Sequence, residues 1–276
     1  MNTIKSRLIA SLMFFALSAF ILNGCKRENL DDNMNAAEDQ ALTEVTVSDV
    51  QSIADEAATG SMTSYKTGSS DGILSMCATI THDTLSDPRV LTIDFGTVNC
   101  LCNDGRNRRG KIIVTYTGHY RDPGHVHTFS FDNYFVNDNQ LLGSKTVTNN
   151  GYNTDNNLTF SIEVDGSIIR ANGAGTITFT SSRIREWIEG ESTQQWSDDV
   201  YLVTGTASGT NSEGGSFTAQ TTTALRRSVA CHQFVSGAAE VTPANRPVRY
   251  IDFGDGTCDN EATVTVNGHV HTITLH

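Results

Sequence analysis

Beyond residue 22 the chain has no run of eighteen apolar residues, so nothing in residues 25–276 reads as a membrane-spanning helix. Basic residues are scarce: 19 Lys+Arg stand against 31 Asp+Glu, a net charge of −12. Such a surface repels phosphate backbones and anionic headgroups, which excludes nucleic acid as a partner. No amphipathic helix separates the strand-like runs that follow Ile73, so parallel βαβ architecture is excluded as well. The chain also lacks a Gly-x-Ser-x-Gly elbow and a His-Glu-x-x-His helix, the spacings that mark serine hydrolases and zinc proteases. No motif implies a cofactor.

What is present starts with a short basic segment, Lys5 and Arg7, followed by fifteen uncharged and mostly apolar residues from Leu8 to Leu22. That is short for a membrane span, which needs ~20 residues, and suits the hydrophobic region of a signal peptide. Leu22-Asn23-Gly24-Cys25 then places a slim residue beside a thiol. The segment resembles the bacterial lipobox, although Asn23 departs from the small or aliphatic residue usual there. The resemblance implies cleavage after residue 24, acylation of Cys25, and a membrane partnership made through the N-terminal lipid alone. The expected location is the outer membrane of an exporting cell, on its periplasmic or its surface-exposed side. Glu28, Asp31 and Asp32 resemble the surface-export signal of Bacteroidota lipoproteins, and they read equally as a solvated linker. Losing residues 1–24, with two basic side chains and no acidic one, lowers the net charge from −12 to −14. Export also suits the cysteines, since five besides Cys25 enter an oxidising compartment.

Residues 25–47 are rich in Asn, Asp and Glu and read as a flexible tether. A short helix is expected over 48–58, with Ser48 as its N-cap, Gln51 as capping-box partner, and Val50, Ile53, Ala54 and Ala57 on one face. From Ile73 the period changes from 3.6 to 2, and short runs rich in Thr, Val, Ile and aromatics alternate with Asn, Asp and Gly clusters. Asn137-Asp138-Asn139, Asp165-Gly166, Asn172-Gly173 and Asn267-Gly268 read as hairpin turns, because these residues tolerate the positive φ of primed turns. The fold class is all-β, an antiparallel meander of roughly 12–15 strands in a single domain over 48–276. It closes as a sandwich, an open barrel or a curled sheet.

The two ends of the β region repeat each other, over about 73–136 and 228–276. Ile93-Asp94-Phe95-Gly96 precedes Cys100 as Ile251-Asp252-Phe253-Gly254 precedes Cys258, and each is preceded by a strand with a cysteine, Cys77 or Cys231. Val114-Thr115-Tyr116-Thr117-Gly118-His119 echoes Val264-Thr265-Val266-Asn267-Gly268-His269, and Gly124-His125-Val126-His127 echoes Gly268-His269-Val270-His271. An insertion in the first copy leaves the register after its cysteine ambiguous. Equivalent cysteines imply bridges inside each copy, Cys77 to Cys100 and Cys231 to Cys258, each worth on the order of 3 kcal/mol for a loop of about 25 residues. Cys102 has no counterpart; it is a free buried thiol or replaces Cys100 in the bridge.

The run from Asp104 through Gly118, the later Gly205-Thr-Ala-Ser-Gly-Thr and the closing Asp252-Phe-Gly-Asp-Gly-Thr-Cys-Asp resemble a large family of Bacteroidota lipoproteins. The resemblance spans nearly all of the mature chain. It implies the envelope location and the all-β fold, and it carries no activity and no catalytic residues.

Candidate chemistry is thin. His125 with His127, and His269 with His271, each lie two residues apart on a strand, so each pair shares a face and could bind a metal. Both pairs continue apolar faces, Phe129 and Phe131 in one case and Ile273 and Leu275 in the other. Asp252, Asp255, Asp259 and Glu261 crowd a Gly-containing loop that suits Ca²⁺ superficially, though Asp-Gly turn chemistry explains the same residues. Trp187 and Trp196 bracket an acidic hairpin and read as packing side chains more readily than as a sugar platform. The expected function is a lipid-anchored, non-catalytic binding or structural module; no motif names its ligand, and both a glycan and a protein stay open. The competing class is a glycan-active or metal-dependent hydrolase.

Overall fold

A computed structural model describes residues 31, 33–59, 72–74, 77–118 and 121–275 of the chain. The lipobox-like segment with Cys25, and the run 60–71, lie outside the described residues.

One helix, α1 (Asn35–Thr59), precedes fourteen strands: β1 (Thr79–Asp83), β2 (Arg89–Asp94), β3 (Cys100–Leu101), β4 (Asn107–Tyr116), β5 (Val126–Val136), β6 (Asn139–Tyr152), β7 (Leu158–Ile169), β8 (Thr176–Glu189), β9 (Val200–Thr210), β10 (Ser216–Ser228), β11 (Gln233–Pro243), β12 (Arg249–Asp255), β13 (Glu261–Val266) and β14 (His269–Thr274). They form a single antiparallel sheet in chain order, with the two-residue β3 set beside β4. No ladder joins β1 to β14 among the described residues, so the meander is neither a sandwich nor a closed barrel. α1 makes side-chain contacts with β4, β6, β8 and β10. A single helix ~10–12 Å across can reach strands so far apart in the order only if the sheet curls around it. Two apolar clusters result. The C-terminal half of α1 packs through Val50, Ile53 and Ala57 on β2 and β4–β8, and its N-terminal half through Ala37, Ala41 and Val45 on β9–β14.

The helix is 25 residues long and corrects the expected boundaries. Residues 35–47, read as tether, are helical, and Ser48 is an interior residue whose carbonyl accepts from the Ser52 hydroxyl. Asn33 is the capping residue, its side-chain oxygen accepting the Asn35 N–H at 3.1 Å. The tether reading failed because it counted the polar residues as solvated. Asp39, Gln40, Thr43, Glu44, Thr46 and Asp49 are all buried, and a helix buried around most of its circumference shows no amphipathic stripe.

Three of the four turns stand where expected: Asn137 and Asp138, Asn172 and Gly173, and Asn267 and Gly268 all take positive φ between strands. Asp165-Gly166 does not turn, because both residues are paired on each side within β7. Gly166 is a strand glycine lying between Gly143 and Phe179, and it leaves room for the buried Phe179 ring to lie over it.

The repeat has structural counterparts at the two ends of the sheet. Ile93 faces Ile112 on β4 as Ile251 faces Val264 on β13. In both copies the Asp carboxylate accepts the N–H of the following Gly, Asp94 from Gly96 at 2.8 Å and Asp252 from Gly254 at 3.0 Å. Cys77 is bonded to Cys100 and Cys231 to Cys258, with Cα separations of 5.6 and 5.4 Å. Cys102 is the free buried thiol. The ladders also resolve the ambiguous register: Ile112, not Val114, is the counterpart of Val264.

Candidate functional site

The histidine echo dissolves in that register. Ile112 faces Phe131 on β5 while Val264 faces His271 on β14, so the counterpart of His271 is Phe131 and not His127. His127 on β5, with His125 just before that strand, and His269 and His271 on β14 belong to strands that are not neighbours, and among the described residues no group of three or more His, Cys, Asp and Glu is placed to hold a metal ion. His127 stacks on Tyr116 with ring centroids 5.3 Å apart. Burial, with His125 as a second cause, depresses its pKa to about 4. The acidic loop also serves its own backbone: Asp255 accepts from the Thr257 N–H and hydroxyl, and Asp259 from the Glu261 N–H. Trp187 and Trp196 are core residues, and the Trp187 indole N–H donates to buried Asp199 at 3.2 Å.

The inward face of the sheet is strongly charged. Arg108 is fully buried and donates to Asp49 at 2.7 Å and to Asp104 at 2.7 and 2.6 Å. Arg106 joins Asp49 at 3.1 Å. Although burial works against its charge, Arg108 and Arg106 hold the Asp49 carboxyl below its ordinary pKa. Along α1, Asp39 pairs with Arg170 at 3.0 Å, Glu44 with Arg183, and Asp55 with Arg185 at 3.6 Å. Glu56 accepts the N–H groups of Ile73 and Leu74, while Asp39, Glu44, Asp49 and Asp55 of α1 are thus matched by cations on the strands or immediately beside them. No stripe in the sequence announces this pairing, because the partners lie 57 to 139 residues away.

The outward face presents a cleft of about 770 Å³ across β6–β11. Two rows of directly opposed residues line it. One runs Thr146, Glu163, Ser182, Thr206, Gln220, Glu240; the other runs Ser144, Asp165, Thr180, Ser208, Thr218, Thr242. The intervening residues Val164, Ser181, Ala207 and Ala219 turn inward and supply backbone to the floor. The rows hold eight hydroxyls, one amide and three carboxylates, with no cationic side chain in the lining. Several groups are already engaged across strands. Ser182 donates to Glu163 at 2.7 Å, Gln220 donates to Glu240 at 3.1 Å, and the Thr180 and Ser208 hydroxyls lie 3.2 Å apart. Gly205, at φ 140°, allows β9 to approach β8 closely, since a Cβ there would overlap the Ser182 carbonyl oxygen. Tyr250, opposite Glu240, extends the first row onto β12 and is exposed.

Sequence reasoning did not single out these residues as a site. Their signal is the outward half of the period-2 pattern, Thr178-x-Thr180-x-Ser182 followed by Thr204-x-Thr206-x-Ser208-x-Thr210, which reads as ordinary solvated strand surface until the register aligns it. No family model, curated protein or solved structure matches the chain.

Proposed function

We propose that the protein is a lipid-anchored binding module of a bacterial cell envelope, of the Bacteroidota lipoprotein type, and that it takes a polyhydroxylated ligand, a glycan, in the outward cleft. The observation that carries this reading is the cleft lining. Eight hydroxyls, an amide and three carboxylates offer paired donors and acceptors at the spacing of strand neighbours. Its volume lies in the range of ligand sites. The lining excludes anions through its three carboxylates, and so favours neutral or cationic sugars.

The reading is non-catalytic. The cleft's serines and threonines have no histidine, lysine or cysteine beside them in the lining to act as base. Glu163 and Asp165, the nearest carboxylates along one strand, point side by side from β7 rather than facing each other across a bond. Anchoring rests on Cys25 and the segment before it.

The test is a glycan array on the full-length protein in detergent, followed by calorimetry of any hit with the wild type and with Glu163→Gln and Gln220→Ala. Cleft binding predicts at least a tenfold loss of affinity in each variant, with the glycan recovered uncleaved. Hits that ignore both substitutions would place the ligand elsewhere, and released sugar would make the protein a hydrolase. Membrane partitioning of Cys25→Ala tests the anchor, and retention of that variant in the membrane would refute it.

A further inference from the structure

On the inward side of the strands that form the cleft, a cavity of about 30 Å³ lies between α1 and strands β6–β10. Its ionisable lining is unbalanced: Lys145, Arg183, Arg185 and Arg227 face one carboxylate, Glu44. Arg183 takes Glu44, and Asp55 beside the cavity meets Arg185 at 3.6 Å. Asp49, which attracts Arg227 from a distance, is bonded to Arg106 and Arg108.

Lys145 and Arg227 are left with neutral partners. Lys145 Nζ donates to the Val47 carbonyl at 3.0 Å, and Arg227 donates to the Ser52 hydroxyl at 3.1 Å and the His232 carbonyl at 3.2 Å. Both side chains are buried, at 2 and 4 % exposure. Arg227 Nε and Arg183 Nη1 meet no acceptor among the described residues. Two cations held in low dielectric without a bonded counter-charge repel each other and cost several kcal/mol.

We infer that this cavity binds a small monovalent anion of the size of chloride, held by Lys145, Arg183 and Arg227. The space fits: about 30 Å³ accommodates one or two water-sized bodies and no larger ion. The titration behaviour of the protein alone agrees. Burial pushes Lys145 down to about 7 against the attraction of Asp55, with Arg227 adding a smaller downward push, and burial pushes Arg227 down to about 10. A resident anion would keep both charged. The site is independent of the glycan cleft, since the two lie on opposite faces of the sheet.

The test compares melting of the full-length protein in sodium chloride, bromide and gluconate at constant ionic strength. Gluconate is too large for the cavity. A site of this kind gives a saturable rise of about 3–6 °C in either halide at roughly ten times its Kd. Lys145→Met should abolish the rise, with a Tm in gluconate equal to or above that of the wild type. Where that variant does not fold, crystals of the wild type grown in bromide carry the same question, and anomalous density in the cavity supports the site. Equal melting in halide and gluconate, a halide response that persists in Lys145→Met, or bromide crystals with no peak in the cavity would each overturn the inference.

Discussion

The two faces of the sheet handle charge in opposite ways. Inward, Arg106, Arg108, Arg183 and Arg185 meet the acids of a buried helix. Outward, three carboxylates and eight hydroxyls line a solvent-open cleft. The same strands carry both patterns on alternate residues, so the difference comes from what covers each face. Inside, a charge is tolerated only with a bonded partner, and losing the partner exposes the full desolvation cost. Outside, water screens each carboxylate, and removing one costs little folding energy.

The sharpest way to break this comparison is Asp49→Ala against Asp165→Ala. The first strips Arg106 and Arg108 of a shared partner and should cost about 3–5 kcal/mol. The second should stay within about 0.5 kcal/mol. Urea unfolding of both variants measures the difference, and similar values would mean that the inward ion pairs do not hold the helix.

A smaller effect follows from Lys145 and is specific to the inward face. Its folded pKa of about 7 lies below the ordinary 10.5, so the unfolded chain binds the extra proton and stability rises with pH between those values. The slope should reach at most about 1.4 kcal/mol per pH unit, and it should vanish in Lys145→Met. Unfolding free energies at pH 7, 8 and 9 in halide-free buffer check it; a flat wild-type profile would count against an uncompensated Lys145.

His127 has the same sign in acid. Its folded pKa of about 4 lies below 6.5, so its contribution is present above pH 6.5 and is lost as pH falls toward 4. His127→Phe, which keeps a ring against Tyr116, should flatten the decline of Tm over that window. The smallest effect on stability belongs to the outward face, where Glu163→Gln should leave Tm unchanged while weakening ligand binding at least tenfold. A fall in Tm there would show the cleft to be structural rather than a binding surface.

Much of the architecture was legible because it rests on local rules. Alternating side chains marked the strands. Asn-Asp, Asn-Gly and Gly residues marked three turns, and equivalent positions in two copies of Ile-Asp-Phe-Gly paired the right cysteines. What escaped depends on partners distant in sequence. Asp165-Gly166 looked like a turn because Gly143 and Phe179, which hold it in β7, are far along the chain. Asp39 and Glu44 looked like a solvated tether because Arg170 and Arg183 arrive from the sheet. The two histidine pairs looked equivalent until the ladders set them four residues out of step.

The sequence by itself determined the all-β meander, the within-copy disulfides and the acidic surface, since alternation, repetition and charge are properties of neighbouring or matching residues. Only the tertiary structure decided that the sheet remains open and wraps a buried polar helix. It also decided that hydroxyls and carboxylates from six strands line one cleft, while two cations are left facing a cavity. Those outcomes depend on strand register and curvature, and both are set by long-range packing against α1, where a one-residue slip would exchange the two faces.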